Sequence, residues 1–157
     1  MTPAARPALL DVNVLVALFD PDHVHHDAAH DWFADSRGEG WATCPLTENG
    51  VVRILSNLRY SPTAESPARI VDRLRAFCAS GHHVFWADDV SLRDAKRFAA
   101  DASVSHRQIT DVYLIGLARH HGGRLATFDR TIPLAASPGA EAGDLVVISN
   151  VEPASQP

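Results

Sequence analysis

The sequence predicts an α/β fold in which helices cover a central parallel sheet of about five strands. Short apolar, β-favouring runs alternate with longer stretches of helical periodicity, which is the pattern of strand–helix units. The chain has 157 residues, of which 46% are hydrophobic and 21% charged, close to the average of globular proteins. We therefore expect one domain over residues 1–150 and a flexible C-terminal tail at 151–157, where Pro and Ser recur.

The strands and helices follow from local patterns along the chain. Strands are expected at 8–10, 41–44, 84–87, 124–128 and 145–149. Helices are expected where apolar residues recur every three or four positions, at 48–59, 67–79, 91–100 and 111–121. Thr47 and Thr110 are the candidate N-caps of the helices that begin after them. His26 and His30 have the spacing of a helical zinc pair, but no Cys is near them, which favours a folding or surface role.

Charge and hydropathy exclude several classes of protein. The longest apolar run, 14–19, is far shorter than a membrane span, and the N-terminus lacks the apolar stretch of a signal peptide. We expect a cytoplasmic protein with no membrane partner, whose Cys44 and Cys78 stay reduced. The net charge is −5, whereas non-specific affinity for nucleic acid comes from basic surface. A nucleic-acid role therefore requires a local basic patch or a bound metal.

Four carboxylates are placed where parallel strands end or the following helices begin. Asp11 and Asp129 each close an apolar strand, while Glu48 and Asp111 each open a helix on its apolar stripe. Each alone is explained by a cap, a turn or the helix dipole. Together they converge on one edge of a parallel sheet, where they repel each other unless protons or a cation compensate. Oxygen ligands suit hard cations such as Mg²⁺ or Mn²⁺, so the four acids predict a metal site.

A locally basic stretch follows Glu48, with arginines at 53, 59, 69, 73 and 75. Arg73 and Arg75 are most simply the solvated side of a helix. Arg53 lies within two turns of Glu48, and the planar guanidinium of arginine suits phosphate. Arg53 is therefore the candidate phosphate contact of this stretch.

Four segments together resemble the PIN-domain ribonucleases, and specifically the VapC-type toxins of bacterial toxin–antitoxin pairs. They are LLDVNVL at 9–15, PLTENGVVR at 45–53, TDVYL at 110–114 and LATFD at 125–129. The segments occur in the order and at the spacing of that family. Val12 stands where many members carry Thr or Ser, which removes a hydroxyl beside the site.

The resemblance implies a PIN-like three-layer domain and an Mg²⁺- or Mn²⁺-dependent endoribonuclease. It also implies an RNA substrate, a cognate VapB-type antitoxin and a homodimer. The acids that match the family's catalytic residues are Asp11, Glu48, Asp111 and Asp129, with metal held by Asp11 and Asp111. The supporting residues are Asn13, Thr110 and Arg53.

Two other classes of function stay open on the sequence alone. A haloacid-dehalogenase-like phosphatase also carries an Asp after its first strand, but it needs a second Asp two residues later, where this chain has Asn13. A non-catalytic PIN scaffold that binds RNA or protein is the other alternative, although such members lose acids and all four are present here.

Overall fold

The computed structural model describes residues 5–99 and 104–149, and its centre is a fully parallel five-stranded sheet in the order β3-β2-β1-β4-β5. The strands are β1 (Ala8–Leu10), β2 (Trp41–Thr43), β3 (His83–Phe85), β4 (Arg124–Thr127) and β5 (Leu145–Val147). The α-helices are α1 (Val12–Phe19), α2 (His26–Ser36), α3 (Pro45–Leu55), α4 (Pro67–Cys78) and α5 (Ile109–His120). The predicted α/β fold is confirmed, and every expected strand lies within two residues of its predicted ends.

Helices pack on both faces of the sheet and give three layers. Leu10 and Trp41 face a core shared with α1, α2, α3 and α4. Leu9 and Leu125 point the other way, into a second core built with α5. Because both faces are covered, all three residues of β1 are buried. This is expected for a parallel strand whose sequence is a continuous apolar run.

The strand order reverses at β1, which fixes where a ligand can bind. From β1 the chain proceeds to β2 and β3 on one side, and later adds β4 and β5 on the other. Leu10 of β1 pairs with Ala126 of β4, so the carboxyl ends of these two strands lie side by side. Ligands of open parallel sheets bind in the crevice at this kind of reversal.

The helix predicted at 91–100 is wrong for the residues that are described, because 91–99 form successive turns. Side chains compete with the helix for its backbone groups there. The Ser91 hydroxyl accepts from the Arg93 amide, and the Asp94 carboxylate accepts from the Lys96 amide. Such local bonds offer the backbone an alternative to helical pairing. Phe98 nevertheless reaches the core, at 5% exposure.

Two helix starts differ from the sequence prediction. α3 begins three residues early, with Cys44 as N-cap and Pro45 in the first position, which suits the fixed φ of proline. Thr47 is therefore not the N-cap; its hydroxyl accepts a hydrogen bond from the Cys44 amide at 3.0 Å. α5 begins after Gln108, so Thr110 lies inside its first turn and is not its cap.

The paired histidines of α2 hold the end of α1. His26 Nδ1 donates to the carbonyl oxygen of Ala17 at 2.7 Å, and His30 Nε2 donates to that of Leu18 at 2.9 Å. These are carbonyls of the last turn of a helix, which have no partner within the helix itself. The two histidines thus contribute to packing, as the sequence favoured.

Among the described residues no helix is long and apolar enough to cross a membrane, and the expected tail at 151–157 lies outside the described residues.

Candidate active site

A cavity of about 520 Å³ opens where the strand order reverses. Five of the residues singled out from the sequence line it: Asp11, Asn13, Arg53, Thr110 and Asp111. They come from the starts of α1 and α5 and from the last turn of α3, so three helices converge on the carboxyl end of β1. The position matches the crevice that the topology predicts.

Asp11 forms the floor of the site and also caps α1. Its carboxylate accepts from the Val12 amide at 2.7 Å and from the Thr127 hydroxyl at 2.7 Å. The side chain is buried, and burial raises the pKa of Asp11 against the opposing effect of these hydrogen bonds. Asp11 is therefore both the N-cap of α1 and a residue of the site.

Asp111 is close enough to Asp11 and Asp129 for its carboxyl group to interact with both of theirs. Burial, followed by the negative charges of Asp11 and Asp129, raises the pKa of Asp111 to about 7. The hydroxyl and the amide of Thr131 both donate to Asp129 at 2.7 Å, and these bonds lower the pKa of Asp129. The structure thus brings three of the four predicted acids together, and the pKa values of two of them, Asp11 and Asp111, are raised.

Thr127 connects the parts of the site and was not singled out from the sequence. It is fully buried at the end of β4. Its hydroxyl donates to Asp11 and accepts from Asn13 Nδ2 at 3.3 Å and from the Asp129 amide at 3.1 Å. The available signal was a hydroxyl at the end of an apolar run, two residues before Asp129.

Asn13 presents an unpaired oxygen to the site. Its Nδ2 is bonded to Thr127, whereas its Oδ1 is buried and has no hydrogen-bond partner in the described part of the chain. A buried amide oxygen without a partner is costly. An oxygen-seeking cation or its bound water would satisfy it, so the donor set of Asp11, Asn13 and Asp111 fits a hard divalent ion.

Glu48 does not join this cluster, contrary to the sequence-based expectation. Its carboxylate accepts from the Thr43 hydroxyl at 2.6 Å, over the outer half of the sheet. Helical geometry explains the difference, since Asn49 and Arg53, which line the cavity, are turned about 100° and 140° from Glu48 around α3. The predicted position on the buried stripe is right, but that stripe faces the core instead of the cavity. The catalytic role of Glu48 stays a prediction that this geometry does not support.

Three of the five arginines of the basic stretch form ion pairs. Arg69 and Arg73 pair with Glu65, and Arg75 pairs with Asp72. These are solvated ion pairs of the kind that contributes little to stability. Arg53 is exposed and lines the cavity, where it is placed to meet an anionic ligand.

Close packing of α3 on α1 sets the width of the cavity beside Asp11. Gly50 lies against Val12, and a Cβ atom added to Gly50 would lie 2.7 Å and 3.2 Å from the two methyl carbons of Val12. Real Cβ contacts are longer, so only glycine permits this approach.

Comparisons with known proteins agree with the geometry. The model of the PIN domain family matches residues 8–137. The chain is 48% identical over 132 residues to ribonuclease VapC39 of Mycobacterium tuberculosis, which covers 84% of this chain and 95% of the relative. It is 46% identical over 133 residues to ribonuclease VapC44 of the same organism, covering 85% and 93%. Ribonuclease VapC38 is 48% identical over 122 residues, covering 78% and 84%.

Proposed function

The chain belongs to the PIN domain family, and on that premise we propose that it is a VapC-type toxin that cleaves RNA with the help of a divalent cation. The observation that carries the proposal is the cluster of Asp11, Asp111 and Asp129, in which the Thr127 hydroxyl links Asp11 to the backbone of Asp129. Three neighbouring carboxyl groups, whose repulsion adds to burial in raising the pKa of Asp111 to about 7, are strained. A divalent cation removes that strain.

Mg²⁺ or Mn²⁺ is the cofactor that this donor set would hold. Asp11 and Asp111 supply carboxylate oxygens, and the unpaired Oδ1 of Asn13 is buried beside them. When bound, such an ion supplies hydroxide from water and neutralises charge on the scissile phosphate. Asp129 lies against Asp111, where its charge would support the ion.

The rim of the cavity offers groups for the RNA itself. Arg53 is exposed there, and His23 and Tyr60 line the same cavity. A guanidinium binds phosphate through paired N–H donors, and aromatic rings stack on unpaired bases. These residues would position an RNA strand with its backbone over the acids.

A VapB-type antitoxin is the proposed partner, and a homodimer the proposed assembly. The names of the relatives, VapC39, VapC44 and VapC38, support the first. An Arg or Lys of the inhibitor inserted into the cavity would pair with Asp11 or Asp111 by charge-assisted hydrogen bonds. Such an inhibitor would compete with the cation.

The test is cleavage of a labelled RNA pool by the purified protein with Mg²⁺, with Mn²⁺ and with a chelator. We expect cleavage with either ion, none with the chelator, and none in Asp11→Asn or Asp111→Asn. Asp72→Asn is the matched control, because this acid is exposed and remote from the cavity. Cleavage that persists in the chelator, or in Asp111→Asn, would contradict the proposal.

Glu48→Gln in the same assay tests the placement of Glu48 outside the cluster. We expect a smaller loss of activity than in Asp111→Asn. An equal loss would show that the Glu48 carboxylate turns into the cavity when RNA and metal are bound.

A further inference from the structure

A second cluster of metal-ligating side chains lies outside the cavity of the acid site. Glu48 in the first turn of α3, Cys78 at the end of α4 and His83 at the start of β3 each direct one ligand atom to a common point. All three atoms lie within 4.8 Å of one another, and all three residues are half-buried. Three separate elements are therefore brought together here by side chains that no step of the proposed cleavage uses.

Thr43 already holds two members of this cluster in place. Its hydroxyl donates to Glu48 Oε2 at 2.6 Å and lies 2.8 Å from His83 Nε2. The Cys78 thiol is free of any disulfide. The side chains are thus oriented before any ion arrives, which reduces the entropy cost of binding.

We propose that Glu48, Cys78 and His83 form a second metal site, of the zinc type. Thiolate, imidazole and carboxylate are the ligands that proteins use for Zn²⁺, and three of them with a water molecule complete a tetrahedral shell. Donor atoms around Zn²⁺ are about 3.3–3.8 Å apart, given bonds of about 2.0–2.3 Å. The three ligand atoms lie within 4.8 Å of one another, so binding of one ion would draw them closer together.

Charge also favours this assignment. A thiolate and a carboxylate together neutralise the two positive charges of Zn²⁺, so the half-buried site carries no net charge and little desolvation cost. The acid cluster around Asp11 offers only oxygen donors, which select harder ions. The two sites therefore separate metals by softness, one for Mg²⁺ or Mn²⁺ and one for Zn²⁺.

The site would fasten a weak edge of the fold. β3 is three residues long and, in the part of the chain that the structure describes, it is an edge strand paired with β2 alone. Phe85 on this strand is 53% exposed. A metal bridging β3, the end of α4 and the start of α3 would hold this edge to the core. The role of the site is structural, and it lies apart from the RNA-cleaving centre.

Binding of Co²⁺ in place of Zn²⁺ tests the proposal on the full, metal-stripped chain without any RNA. A cobalt–thiolate bond gives a charge-transfer absorption band in the near ultraviolet, whereas Co²⁺ on oxygen or nitrogen donors does not. Metal held by the acids, or by the exposed Asp89–His120–His121 group, is therefore silent in this band. We expect the band in the wild-type protein and in Asp111→Asn, and its loss in Cys78→Ser.

Cys44→Ser is the matched control, since Cys44 is the other free thiol and is buried at an N-cap that serine also suits. It should keep the band. His83→Gln should weaken Co²⁺ binding, and circular dichroism of each variant checks that it is folded. No band in the wild type, a band that survives Cys78→Ser, or loss in a folded Cys44→Ser would overturn the assignment. Because no readout involves RNA cleavage, these failures are distinguishable from failure of the proposed function.

Discussion

Replacing Thr127 with Val tests whether the hydroxyl at the end of β4 is what prepares Asp11 for a cation. Val has the shape of Thr, so the packing of this fully buried position is preserved while the hydroxyl is lost. The Asp11 carboxylate then loses its 2.7 Å hydrogen bond from Thr127, and the Asp129 amide loses its acceptor. Since the Thr127 hydrogen bond lowers the pKa of Asp11 against burial, that pKa should rise further in the variant.

The magnitude follows from the bonds removed. A hydrogen bond to a charged group contributes about 1.5–3 kcal/mol, and a neutral one about 0.5–1.5 kcal/mol. We therefore expect the free energy of unfolding to fall by about 2–4 kcal/mol. A cation must also displace a more firmly held proton from Asp11, so its affinity should fall by about 10–100-fold, as is typical when a group supporting a metal ligand is lost.

Calorimetric titration with Mn²⁺ at neutral pH measures the affinity, and urea unfolding measures the stability. Thr127→Ser is the control, because it keeps the hydroxyl and loses one methyl group; its affinity for Mn²⁺ should stay close to that of the wild type. If Thr127→Val bound Mn²⁺ as tightly as the wild type, or if Thr127→Ser bound it as weakly as Thr127→Val, the reasoning would be refuted.

Two further predictions concern the same cavity. The pKa of Asp111 is raised from 3.8 to about 7 in the folded, metal-free protein, so its contribution to stability is greatest below about pH 4 and is lost as pH rises to about 7. Asp111→Asn should remove this pH dependence and stabilise the metal-free protein at pH 8 by about 1–2 kcal/mol, a value reduced for solvent screening. Urea unfolding in the presence of a chelator at pH 4.5 and at pH 8 measures the effect. If the free energy of unfolding changed with pH as much in the variant as in the wild type, the prediction would be contradicted. Gly50→Ala places a methyl group 2.7 Å from a Val12 methyl carbon and should cost about 1–3 kcal/mol through overpacking. Thermal unfolding measures that loss of stability. The double variant Gly50→Ala with Val12→Ala should recover most of the lost stability, because the contact with the Val12 methyl groups is removed. If it recovered none, the strain would not come from this contact.

The strands could be predicted because their apolar runs are short, continuous and bounded by turn residues. β1 is Ala8–Leu10 in both the prediction and the structure. The juxtaposition of Asp11, Asp111 and Asp129 could be anticipated too, because parallel strands fix which ends share an edge. Neither inference needs knowledge of side-chain rotation.

Two kinds of feature could not be predicted. One depends on the rotation of about 100° between successive side chains around a helix, and the other on competition between local hydrogen bonds and helical ones. Glu48 and Asn49 are neighbours in sequence, yet only Asn49 lines the cavity, and the start of α3 at Pro45 decides which does. The helix expected at 91–100 has suitable periodicity, but Ser91 and Asp94 bond to nearby amides instead. Thr127 was overlooked because a buried hydroxyl gains its meaning only from a partner 116 residues away, Asp11.

That separation has a consequence during synthesis. β1 lies in the middle of the sheet, so one of its two edges stays unpaired until β4 has been synthesised. The residues that surround Asp11 in the site, Asp111, Thr127 and Asp129, are also synthesised late. Contacts of such high sequence separation form late, because loop closure must precede them. A growing chain with β1, β2 and β3 in place has no cluster of acids and no Thr127 hydroxyl to arrange it. Under the proposed function, this order of assembly delays RNA cleavage until α5 and β4 have been synthesised and folded onto β1.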